Sequence, residues 1–99
     1  MIELSVDLQD GFDGDTVAVQ ADGQEVARRE NVRTRRMLGL ATSLSIQIPN
    51  EATKITISVP TKGITQDLAI PAGIRSYIGA SVANGKVEAI VSANPFHYA

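Results

Sequence analysis

The chain has 99 residues, 43% of them hydrophobic, which is enough for one domain with a single core. It contains no cysteine, so disulfides, thiolate metal sites and cysteine nucleophiles are excluded. Nine basic residues against eleven acidic ones give a net charge of −2, a balance that argues against a nucleic-acid binder, which carries a basic balance or a basic face.

The first residues, Met1-Ile2-Glu3-Leu4-Ser5, bring acid where a signal peptide carries positive charge, and the expected location is the cytoplasm. Apolar runs are all far shorter than the ~20 residues of a membrane-spanning helix, so no membrane partner is expected. From Ile2 to Leu8 apolar and polar residues alternate, which makes a strand with one buried face. Asp10-Gly11-Phe12-Asp13-Gly14-Asp15 interrupts it with loop chemistry. Thr16 to Gln20 resumes the alternation, and Asp22-Gly23 follows. Asp-Gly between two such runs is a hairpin signal, because a type I′ turn needs positive φ at both central residues. The partner strand is expected over Gln24 to Arg29.

Residues 30–41 carry no regular stripe. Arg, Met and Leu favour helix, but Asn31, Val32 and Thr34 dilute that preference. The reading is an extended edge strand from Val32 to Met37 and then a crossover. Beyond residue 42 alternation returns: Leu44/Ile46/Ile48, Ile55/Ile57/Val59, Ile64/Leu68/Ile70 and Ile74/Ile78/Val82 each share a face. The last strand is expected over Val87 to Ala93, after a second hairpin signal at Asn84-Gly85. Pro49, Pro60 and Pro71 each follow an apolar strand residue, as fits a residue that cannot donate to a ladder.

These segments predict an all-β fold, an antiparallel two-sheet sandwich of eight or nine short strands over residues 1–99, Ig-like or transthyretin-like. A small barrel is the alternative. The run Val17 to Val26, strand–Asp22-Gly23–strand, resembles the opening of small bacterial β-sandwich domains of the PEGA and transthyretin-like carboxypeptidase-regulatory kind. Gly11-Phe12, Thr34-Arg35-Arg36 and Asn94-Pro95-Phe96 are similar to segments of short bacterial proteins. The resemblance implies the fold and brings no functional residue with it; the Pro-Gly-x-Tyr/His segment of the PEGA pattern is missing.

Charge is unevenly distributed. Glu3, Asp7, Asp10, Asp13, Asp15, Asp22 and Glu25 precede Arg28, Arg29, Arg33, Arg35 and Arg36. A row of guanidinium groups can hold acidic groups of a partner. On an edge strand the same charges can simply block unwanted pairing. Asp10, Asp13 and Asp15 have oxygen ligands to offer a cation but not the EF-hand spacing, and aspartate is an ordinary loop residue. His97 has no second histidine or cysteine to work with, and Phe96 and Tyr98 are expected to tuck the tail against the sandwich. Tryptophan is absent, which disfavours sugar binding and base stacking. No catalytic or cofactor signature is present, so no cofactor or metal is expected. The expected function is a non-catalytic protein-interaction or structural module, meeting another protein or itself through an edge strand or the five arginines. The alternative is a small-ligand, ion or anionic-partner binding domain, or an enzyme accessory subunit.

Overall fold

The computed structural model describes residues 1–34 and 40–96. Eight strands are present among them: β1 (Ile2–Leu8), β2 (Asp13–Ala21), β3 (Gln24–Arg33), β4 (Thr42–Ile48), β5 (Lys54–Val59), β6 (Ile64–Ala69), β7 (Ser76–Ala83) and β8 (Lys86–Ser92). A short 3-10 helix, Pro60–Lys62, joins β5 to β6. The strands form two four-stranded sheets, in the orders β4-β1-β7-β8 and β3-β2-β5-β6. They pack as a sandwich, and no barrel closes.

Alternation decides which side chains go inside. Leu4, Val6 and Leu8 of β1 meet Val17 and Val19 of β2, Ile55, Ile57 and Val59 of β5, and Ile78 of β7 in one core. Each is almost fully removed from water, worth roughly 1.5–3 kcal/mol per side chain of this size. The intervening Glu3, Ser5, Ser43, Ser45 and Gln47 lie on the outer side of the first sheet. Both hairpin signals hold. Asp22-Gly23 has φ of 48° and 86°, and Asn84-Gly85 has 54° and 74°, the two successive positive values of a type I′ turn. Pro49, Pro60 and Pro71 each lie just past the last ladder residues of β4, β5 and β6.

The structure corrects five expectations of detail. The stretch expected as two strands, Gln24–Arg29 and Val32–Met37, is one strand to Arg33; Asn31, at φ 56°, takes up the extra residue in a bulge. The remainder of that expected strand lies outside the described residues. Asp13 to Asp15 belong to β2 rather than to the preceding loop. Ile74 is 61% exposed, because the turn around Gly73 keeps it off the sheet and β7 starts only at Ser76. The last strand runs over Lys86–Ser92, not Val87–Ala93. Finally, β1 and β7 are parallel neighbours, since the chain crosses between sheets several times before β7 returns beside β1.

Candidate functional site

β3 is an edge strand, paired among the described residues only with β2. Its register slips three times, between Asp13 and Asp15, Asp15 and Val17, and Val19 and Gln20 of β2. Each slip is a bulge, which twists the edge and re-aims its side chains. Between the slips, Arg28 and Arg29 are in regular register and alternate between the two faces.

Arg28 is opposite Ala18 on the outer face, where its Nη2 lies 2.8 Å from Glu25 Oε1. That carboxylate favours the charged guanidinium still further. Arg29 is opposite Val17, a fully buried residue, so it starts on the core-facing side of the strand and emerges at the edge. Its Nη1 donates to the Arg28 carbonyl at 3.1 Å, and it makes no ion pair with any described residue. Arg33 is opposite Asp13 and pairs with it, Nη1 to Oδ1, at 3.0 Å. Arg35 and Arg36 lie outside the described residues.

Two shallow clefts adjoin at Arg33 and Thr34. One, of about 490 Å³, opens between β3 and the start of β4 and is lined by Arg29, Asn31, Val32, Arg33 and Thr42 among others. The other, of about 420 Å³, is lined by Asp10, Gly11, Phe12 and Asp13. Thr34 forms the wall between them. Its hydroxyl donates to the Gln9 carbonyl at 2.9 Å and accepts the Phe12 N–H at 3.0 Å, while its own N–H donates to the Phe12 carbonyl. The end of β3 is thereby fastened to the loop that leaves β1.

Asp10 of that loop and Asp13 and Asp15 of β2 separate into different tasks. Asp10 Oδ1 accepts the Gly11 N–H, and Asp13 serves Arg33. Asp15 is only 3% exposed. It accepts the Thr61 hydroxyl at 2.7 Å and the Asp13 N–H at 2.9 Å, with Lys62 Nζ at 3.1 Å. Burial opposes its ionisation, but the amide, hydroxyl and ammonium together outweigh that effect and hold its carboxyl below the ordinary value. No three acidic or histidine side chains converge to hold a metal ion among the described residues, and Asp15 acts as a pin between β2 and the Pro60–Lys62 turn. His97 and Tyr98 lie outside the described residues; Phe96 does pack against the sandwich, over Gly79.

One cluster escaped the sequence reading. On the outer face of the first sheet Arg75 lies 5.0 Å from the Tyr77 ring centroid, 3.4 Å from Glu3 and 3.0 Å from Ser5 Oγ. A cleft of about 290 Å³ runs from there past Asp7 and Ser43 to Pro95 and Phe96. Strand alternation places Glu3, Ser5 and Tyr77 on outer faces. Only the parallel β1–β7 register, linking residues about seventy apart, makes them neighbours. No helix among the described residues is long and apolar enough to cross a membrane. Comparison with protein-family models and with curated proteins gave no match to the chain.

Proposed function

We propose that the protein is a non-catalytic interaction module that contacts a protein partner through β3, with Arg29 and Arg33 as the principal cations. The observation that carries this reading is the position of Arg29. It stands at the mouth between the two sheets, exposed, beside Arg33 and the hydroxyls of Thr34 and Thr42, with Glu30 in the same cleft, and it forms no ion pair with a described carboxylate. Planar, many-donor guanidinium groups at such a mouth suit carboxylates carried on an acidic protein segment. The bulges of β3 favour side-chain recognition over strand addition, because a slipped ladder offers an incoming strand no continuous register.

Affinity capture from host lysate tests the reading, comparing the wild type with Arg29→Glu/Arg33→Gln and with Arg75→Glu as the control on the opposite sheet. A specific partner retained by the control, lost from the double variant and weakened by added salt is the expected result. Identical capture by all three proteins would return the arginines to the role of edge protection.

A further inference from the structure

The sandwich has four edge strands, and three of them are guarded. β3 is bulged and charged. β6 lies between Pro60 and Pro71 and carries Asp67, bonded to Thr56 at 2.7 Å. β4 exposes only Ser43, Ser45 and Gln47 along its length, with Leu44, Ile46 and Ile48 buried. β8 differs. Its charges, Lys86 and Glu88, are confined to its first three residues; it pairs with β7 one-to-one from Lys86↔Ala83 to Ser92↔Tyr77 without a bulge, contains no proline, and leaves Ile90 61% and Val91 37% exposed, one on each face. A regular edge with exposed apolar residues is a template for another strand. On the β7 side Ile90 is opposite Gly79, over which Gln9 and Phe96 lie, so its 61% exposure is open on the side away from β7.

We propose that β8 pairs antiparallel with β8 of a second copy of this chain, on a two-fold axis through Ile90. This interface is separate from the β3 surface and does not depend on it. The axis sets Ile90 directly opposite the partner's Ile90, giving each an apolar neighbour on the open side of the edge. Ala89 then falls opposite the partner's Val91 on the core-facing side, so both exposed apolar residues are covered by the same register. Glu88 falls opposite the partner's Ser92, and no like charges meet. Because side chains alternate with period two, a residue-centred axis keeps outer face with outer face and core side with core side. The product is a continuous eight-stranded sheet. A five-residue edge contact is smaller than a standard stable interface, so the dimer is weak and concentration-dependent.

Sedimentation velocity from low micromolar to near-millimolar protein is expected to show a monomer–dimer equilibrium. Ile90→Lys and Ile90→Glu should each weaken it at least ~10-fold, since like charges then stand directly opposite one another. Mixing the two variants should restore it as a heterodimer. The chain has no cysteine, so Ile90→Cys supplies a single thiol whose oxidation should yield covalent dimer faster than Ser45→Cys on β4. Unchanged melting temperatures confirm that each variant is folded. A wild type that stays monomeric throughout, a dimer indifferent to Ile90→Lys, or preferential cross-linking at position 45 would each overturn the proposal; the last would transfer the interface to β4.

Discussion

The hairpins β2–β3 and β7–β8 are both closed by two-residue turns with positive φ at each central residue, and each contributes one edge to the sandwich. Beyond the turns they part. β7–β8 keeps seven consecutive pairs in step, whereas β2–β3 slips three times and exposes seven of the ten β3 residues. A turn fixes where two strands begin to pair; bulges and side-chain charge determine what the far edge can do afterwards. The bulged edge presents separated cations, and the regular edge presents a ladder and two apolar side chains. Substitutions at the joints of the two hairpins test how independent they are.

The largest effect is expected at the point that ties the hairpins together. Gly11 has φ of 85°, and a Cβ there would stand 2.0 Å from the Val82 carbonyl oxygen on β7. Its neighbour Asp10 accepts the Val82 N–H at 2.8 Å, and Phe12 is held by Thr34 at the end of β3. Gly11→Ala adds left-handed strain and a backbone collision together, and should cost roughly 3–5 kcal/mol in urea unfolding. A cost below about 1 kcal/mol would mean that the joint yields freely and that the two hairpins do not constrain each other.

Next comes Asp15, which pins only the bulged hairpin. Asp15→Ala leaves Lys62, Thr61 and the Asp13 N–H without their acceptor and should cost roughly 2–4 kcal/mol at neutral pH. The pH dependence has a definite sign. The folded carboxyl titrates below its ordinary value, so the unfolded state binds more protons in the interval between the two. Stability from this group is therefore complete above the unfolded value and is lost as pH falls through the folded one. Wild type and variant should converge in urea midpoint as the solution is acidified. A gap that stays constant into acid would show that the carboxylate's charge contributes nothing and that only its volume matters.

Much of this arrangement was legible in the sequence because it is local. Alternation in Ile2–Leu8 and Thr42–Ile48 chose the buried face, and Asp22-Gly23 and Asn84-Gly85 announced their turns. The illegible parts depend on partners distant in the chain. Arg28, Arg29 and Arg33 look like one cluster in sequence, yet Glu25, the Arg28 carbonyl and Asp13 claim them one by one, because alternation puts Arg28 and Arg29 on opposite faces and the pairing with β2 brings Asp13 to Arg33. Asp13 and Asp15 look like turn residues, and their strand role depends on Arg33 and Thr61, twenty and forty-six positions away. The Arg75–Tyr77 cluster needs the parallel β1–β7 pairing, which alternation within single strands does not encode.

The smallest effect separates the bulge from the turn. Asn31 holds φ of 56° inside β3, where one residue more than β2 can match is accommodated. Asparagine tolerates this region, and a residue with a branched Cβ does not. Asn31→Gly should therefore be close to neutral and Asn31→Val should cost about 1–2 kcal/mol. The same pair of substitutions at Asn84, φ 54°, should rank in the same order, since the local geometry is alike. The consequences should diverge at the edge. If the bulge aims the end of the strand, Asn31→Val relieves its strain by shifting the register beyond it, which turns Arg33 to the other face and separates it from Asp13. Side-chain NMR of the arginine Nε–H groups reads that change directly. Arginine resonances undisturbed in Asn31→Val would mean that β2 alone dictates the register, and that the bulge is a result of the arginines' placement rather than its cause.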